Sequence, residues 1–184
     1  MKSLIIFVSI ILSINMTFGR VKSIKVLKKY FTNGYFILDS ATGDLNQDGY
    51  KDLVVALANK NENGIDDVDR PLLFFLGNSK GAFVLLTNNK NVILCKGCGG
   101  VLGDPYKSIR IKNCFLIVKH YGGDWERWFS TTVFKYEKKS KKIKLFNDFD
   151  IIYDNSESKP PVKKFYSKKF YNKLELKDYS SDNR

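Results

Sequence analysis

Short runs of apolar and β-branched residues recur along the chain, separated by clusters of Gly, Asn and Asp. The runs predict strands at Tyr35–Leu38, Leu53–Leu57, Leu72–Leu76, Phe83–Leu86, Ile109–Ile111, Cys114–Lys119, Ser130–Tyr136, Ile143–Phe146 and Ile151–Tyr153. A spacing of about eight to twelve residues between turn clusters is typical of an all-β domain. Only Val21–Phe31 has a pattern that would suit a short helix. The sequence therefore predicts a compact antiparallel β domain.

The loop between the first two predicted strands is rich in side-chain oxygen. Positions one, three, five and nine of this loop are Asp44, Asn46, Asp48 and Asp52. Gly49 at position six permits a sharp turn, and Tyr50 at position seven can offer its carbonyl. Calcium takes six to eight oxygen ligands, so this spacing predicts a structural Ca²⁺ site.

The loop does not have the pattern of an EF-hand. An EF-hand requires a bidentate Glu at position twelve and a following helix, whereas position twelve is Val55 and the chain continues as an apolar, strand-like run. A metal-free turn remains open, because Asn, Asp and Gly also dominate ordinary turns. The spacing of the oxygen donors favours the metal.

Residues 43–55 resemble the repeat called FG-GAP or VCBS, and residues 72–83 are similar to the end of the same repeat. The repeat builds blades of integrin-type β-propellers and occurs in many secreted bacterial proteins. The resemblance implies calcium ligation by the loop side chains and the Tyr50 carbonyl. The loop occurs once, and a full propeller needs at least four four-stranded blades. We therefore expect one blade-like unit within a smaller antiparallel domain.

The N-terminus carries a basic residue, an apolar run at Leu4–Ile14 and small residues ahead of Arg20. This pattern predicts a signal peptide at 1–19, cleaved after Gly19, with an uncleaved anchor as the alternative. We expect a β domain at 20–154 and a Lys- and aromatic-rich segment at 155–184 with an edge strand at Leu174–Lys177 and a frayed tail. The protein is then secreted or periplasmic, with no transmembrane segment after cleavage.

The net charge of +12 indicates a basic surface. Such a surface attracts polyanions such as lipid headgroups, wall polymers or nucleic acid, although a solvated lysine-rich face is the simpler interpretation. No nucleic-acid motif accompanies the charge, and predicted export argues against a genomic role. We expect no specific nucleic-acid partner.

Cys95 and Cys98 form a CxxC pair, followed by Cys114 and by the only histidine, His120. These four residues could hold a tetrahedral zinc ion. In an oxidising compartment a disulfide competes, and one thiol is then left over. A disulfide is favoured over free buried thiols, and zinc comes last.

The segment after His120 holds Tyr121, Trp125 and Trp128, a candidate ligand-binding surface, although aromatic side chains more often serve packing. The sequence as a whole is compatible with three functions. The first is an exported, calcium-stabilised binding or interaction domain that recognises an unknown ligand or protein of the cell envelope. The second is an enzyme acting on wall polymers, with His120 as general base and Asp104, Asp124 or Glu126 as its partner. The third is a small interaction or inhibitor protein that pairs with an exported partner through this aromatic segment.

Overall fold

The computed structural model describes residues 23–65, 68–154, 160–166 and 171–181. The predicted signal peptide at 1–19 lies outside these residues, as do parts of the C-terminal segment. The order of elements is α1 (Ser23–Thr32), β1 (Tyr35–Gly43), β2 (Asp52–Asn59), β3 (Arg70–Gly77), β4 (Phe83–Ile93), β5 (Tyr106–Lys112), β6 (Phe115–Gly123), β7 (Glu126–Glu137), β8 (Lys142–Asp154) and β9 (Val162–Phe165). Two 3₁₀ helices are at Gly100–Leu102 and Leu176–Asp178.

The strands form two antiparallel sheets. Sheet one has four strands in the order β1-β2-β3-β4, and sheet two has five in the order β5-β6-β7-β8-β9. Each strand pairs with its neighbour along the chain, so every connection is a hairpin or a loop between adjacent strands, apart from the crossing between the two sheets. The predicted all-β class and antiparallel pairing are confirmed.

Sheet one is covered on both faces, which explains why every residue of β2 is buried. Side chains alternate between the two faces of a strand. Val54 and Ala56 therefore join a core that also contains Leu116 and Phe134 of sheet two. The alternate residues of β2 and β3 pack instead with Leu27 and other apolar residues of α1 and its surroundings. The main core thus lies between the two sheets, and the helix covers the outer face of sheet one.

The C-terminal segment completes the core. Leu176 and Tyr179 are buried between the sheets. The side-chain amide of Asn89 in β4 donates to the carbonyls of Leu176 and Tyr179, at 2.7 and 2.8 Å. The edge strand expected at Leu174–Lys177 is instead a single bridge from Glu175 to Lys144, and the paired strand of this segment is β9.

Candidate functional site

The oxygen-rich loop connects β1 to β2, so the predicted strand–loop–strand arrangement is confirmed. Asp44 accepts hydrogen bonds from the backbone N–H groups of Asp48 and Gly49, at 3.1 and 2.9 Å. The Asn46 side-chain carbonyl oxygen accepts from the same Asp48 N–H at 3.0 Å, and Asp48 accepts from the Tyr50 N–H at 2.9 Å. Three of the four predicted ligand side chains therefore gather around one turn.

Asp52 has a different position from the other three side chains. It is fully buried, and its carboxylate accepts N–H groups from Leu45 at 2.8 Å, from Asn46 at 3.3 Å and from Gly77 at 3.1 Å. Burial is the main cause that raises the pKa of Asp52. The nearby charge of Asp48 adds to the rise, and the three N–H bonds oppose it. Asp52 thus joins the loop to the end of β3.

Gly77 makes this junction sterically possible. A Cβ on Gly77 would lie 2.0 Å from the carbonyl oxygen of Lys51, closer than any side chain tolerates. The absence of a side chain lets the backbone of β3 approach the loop and donate its N–H to Asp52. A glycine at position 77 is therefore required by the close approach of β3 to the loop.

The donor chemistry of the loop fits a hard cation. A carboxylate has about four acceptor positions. Asp44 uses two of them for the N–H groups of Asp48 and Gly49. Asp48 uses two for the Tyr50 N–H and the side-chain amide of Asn46, so each carboxylate keeps acceptor positions for a cation. Within the described ranges, no three His, Cys, Asp or Glu side chains are grouped so that they could hold a metal ion. A cation at this loop would therefore also need Asn46 and the Tyr50 carbonyl. Asp52 as a ligand stays a prediction.

Cys95 and Cys98 are joined in a disulfide, so their sulfur atoms are not available to zinc. Cys114 is a free, half-buried thiol in the turn between β5 and β6, and the Gln47 side-chain amide of the oxygen-rich loop donates to its sulfur at 3.2 Å. Cys114 and its neighbour Asn113 both have positive φ, at 61° and 48°, as a two-residue hairpin turn of type I′ requires.

His120 is fully buried on the inner face of β6. Its Nε2 accepts the backbone N–H of Leu94 at 3.3 Å, and its ring contacts the edge of Tyr106. Two of its suggested acidic partners are used elsewhere: Asp104 pairs with Arg70, and Asp124 accepts the Val101 N–H at 2.7 Å. The structure therefore gives no support to His120 as a solvent-accessible general base.

A buried ionic network lies beside the disulfide, and reasoning from the sequence missed it. Arg70 is 1% exposed and donates to Glu62 and Asp104, in each case at 2.7 Å, and to the Leu94 carbonyl at 3.2 Å. Burial raises the pKa of Asp104, but the hydrogen bonds from Arg70 and the Tyr106 N–H, together with the charge of Arg70, outweigh burial and leave that pKa lowered. Asp104 and Glu62 in turn raise the pKa of Arg70, although desolvation of the buried guanidinium acts to lower it. The available signal was a basic residue at the first position of an otherwise apolar strand.

The three predicted aromatic ligand residues do not form one surface. Tyr121 pairs with Phe129 across β6 and β7, whereas Trp128 pairs with Gly122 in the adjacent register position. Tyr121 and Trp128 therefore lie on opposite faces of sheet two, because successive residues of a strand alternate. Trp125 lies in the connecting turn and is 87% exposed.

Trp128 lines an open cavity of about 280 Å³ at the inner edge of sheet two. Asp150 and Tyr166 also line it, and the Tyr166 hydroxyl donates to Asp150 at 2.6 Å. Glu126, the third suggested partner of His120, lies at this cavity, while His120 does not line it.

None of the described helices combines the length and apolar character needed to cross a bilayer. Comparison with known proteins gives no match: no family model, no curated protein and no solved structure matches the chain.

Proposed function

We infer that the protein is an exported binding domain whose fold is stabilised by one calcium ion at the loop 44–52. The observation that carries this proposal is the gathering of Asp44, Asn46 and Asp48 oxygens around one turn between two hydrogen-bonded strands. These three side chains and the Tyr50 carbonyl would hold the ion. Asp52 holds the loop against β3 and could complete the coordination.

The calcium ion would supply structure rather than chemistry. It would neutralise the carboxylates of Asp44 and Asp48 and fix the start of β2, a strand whose residues are all buried. An ion that binds only the folded state stabilises it by RT ln(1 + [Ca²⁺]/Kd), which is about 2.7 kcal/mol at 100 times Kd. Extracellular-type sites with Kd of about 10⁻⁴–10⁻³ M suit this role.

We propose that sheet one is the single blade-like unit that the resemblance to the FG-GAP or VCBS repeat implies. Its four antiparallel strands include both segments that resemble the repeat, and Gly77 of the second segment contacts the loop of the first. We propose that sheet two covers the face that a neighbouring blade would cover in a propeller. This arrangement would allow a single repeat to fold.

Export is supported by the Cys95–Cys98 disulfide, since disulfides persist mainly in oxidising compartments. Of the functions open from the sequence, binding is favoured over an enzyme, because His120 is buried and its Nε2 already accepts a backbone N–H. The proposed binding partner at the cell envelope could itself be an exported protein that this domain inhibits.

Calorimetric titration with calcium and thermal melting with and without the ion test the proposal. We expect binding heat and a rise in Tm at millimolar calcium. Asp48→Ala should lose both, while Asp48→Asn should keep the bond to the Tyr50 N–H but bind calcium more weakly, because it lacks the charge. Asp69→Ala is the matched control, since Asp69 is an exposed acid paired with Lys90 and lies outside the loop. A wild-type protein without heat or Tm change at millimolar calcium would reject the proposal.

A further inference from the structure

The outer face of sheet two, turned away from the core, carries alternating cations and aromatic rings. The inner positions of β6, such as Leu116, Val118 and His120, are buried, and the residues between them are half-buried. The cationic residues at outer-face positions include Lys107, Arg110, Lys119, Arg127, Lys135 and Lys163. We refer to this surface as the basic face.

Acidic groups are segregated from the basic face. Asp148 and Asp150 in the centre of β8 are buried at 3% and 7% exposure, and they accept hydrogen bonds from Tyr179 and Tyr166. Glu137, at the far end of β7, is ion-paired with Lys144 at 2.7 Å. The central part of the face therefore presents cations without compensating carboxylates among the described residues.

Lysines and rings alternate in register across the strands. Lys107 lies over the Tyr121 ring at 5.4 Å from its centroid, and Lys119 lies over Phe129 at 5.6 Å. At the other side of the sheet, Lys163 lies 3.9 Å from the centroid of Phe149 and 4.9 Å from that of Phe165. Four strand spacings of about 4.8 Å separate β5 from β9, so the face offers this pattern over about 19 Å.

Each of these rings has a positively charged side chain beside it. This arrangement suits a ligand in which a flat apolar surface lies next to an anionic group. The C–H face of a sugar ring packs on an aromatic ring, and its carboxylate, sulfate or phosphate substituents pair with lysine. Phe165 and Tyr153 are the more accessible rings, at 47% and 40% exposure. The cations are already held near the rings, so ligand binding orders few side chains.

We propose that the basic face binds an anionic polysaccharide. This inference rests on the binding role proposed above and names the ligand class. The Cys95–Cys98 disulfide supports the proposed export, and an exported protein meets charged glycans of the cell envelope before it meets genomic nucleic acid. A lipid surface fits less well, because Tyr121, Phe129 and Phe149 are half-buried, whereas insertion into a bilayer needs apolar side chains that protrude.

Binding of dextran sulfate, measured by calorimetry at 0.15 M salt with neutral dextran as the uncharged probe, tests the inference. Three face lysines are exchanged in the variant Lys107→Gln/Lys119→Gln/Lys163→Gln. The control removes the same charge from exposed lysines near sheet one and outside the loop 44–52, in Lys28→Gln/Lys60→Gln/Lys80→Gln. At about a fivefold loss per cation, the face variant should bind on the order of 100-fold more weakly. The control should change by less than about threefold, because charges beyond about 8 Å are screened.

A second variant separates a built site from general attraction to a basic protein. Tyr121→Leu/Phe165→Leu keeps every charge and should still bind about tenfold more weakly, because the sugar-packing rings are lost, at about 1.4 kcal/mol per factor of ten. Equal losses in both lysine variants, or wild-type binding in the ring variant, would overturn the proposal. Tighter binding of oligo-dT, or of vesicles of phosphatidylglycerol and phosphatidylcholine in equal parts, would overturn it as well.

Thermal melting of each variant checks that it folds. The oxygen-rich loop and the basic face share no residue, so the two proposals fail separately in the same samples. A protein that binds dextran sulfate but does not respond to calcium refutes the loop proposal alone. A protein that responds to calcium but does not bind dextran sulfate refutes the basic face alone.

Discussion

The buried network around Arg70 gives the sharpest stability prediction. Glu62 is 5% exposed, and its carboxylate accepts both the Arg70 guanidinium and the Asn59 N–H at 3.0 Å. Removing one partner of a buried pair leaves an uncompensated charge and costs about 3–5 kcal/mol. Glu62→Ala leaves Arg70 paired with Asp104, so we expect the lower end, about 3 kcal/mol. Asp104→Ala should cost about 1 kcal/mol, because that side chain is 37% exposed and solvent screens its pair.

Urea unfolding at pH 7, followed by circular dichroism, measures these differences. Asp69→Ala, which breaks the exposed pair with Lys90, should cost less than about 1 kcal/mol and serves as the reference. The double variant Glu62→Leu/Arg70→Met removes both buried charges and should recover most of the stability that Arg70→Met alone loses. If Glu62→Ala unfolds at the same urea concentration as Asp69→Ala, the network does not carry the energy assigned to it here.

Two further outcomes follow from the pKa shifts and from the loop. The lowered pKa of Asp104 stabilises the folded state at pH values above the ordinary Asp pKa of about 3.9, and this contribution is lost as the pH falls through the lowered pKa. Urea unfolding over a pH series should therefore show that Asp104→Asn loses less stability in acid than the wild type does. The raised pKa of Asp52 acts in the opposite sense, with stability present below about 3.9 and lost as the pH rises through the raised pKa. Asp52→Ala should still lower Tm in the absence of calcium, because it leaves the N–H groups of Leu45 and Gly77 without acceptors at about 1–3 kcal/mol each; an unchanged Tm without the ion would show that Asp52 does not anchor the loop.

Alternation and turn residues were sufficient to predict the antiparallel class and most strands, because the apolar runs are short and rich in β-branched or aromatic residues. They were not sufficient for β8, which was predicted as separate strands at Ile143–Phe146 and Ile151–Tyr153. Asp148 and Asp150 gave the intervening segment the composition of a turn. In the structure both carboxylates face inward and accept hydroxyl groups from residues distant in sequence, and such partners cannot be read from local composition.

The candidate surfaces show the same limit. Spacing placed Asp44, Asn46 and Asp48 correctly in one turn, because neighbours along a loop stay neighbours in space. Tyr121 and Trp128 were grouped by nearness in sequence, but the hairpin register puts them on opposite faces. The basic face was not found from sequence, since it assembles residues of five strands and depends on which positions point outward.

Leu176 and Tyr179 pack into the core between the two sheets, so part of that core comes from residues that are synthesised after the nine strands of the described residues. The side-chain amide of Asn89 donates to carbonyls that are 87 and 90 residues further along the chain and are therefore synthesised later. Both sheets are therefore synthesised before the last two side chains of their shared core and before the carbonyl acceptors of the Asn89 amide.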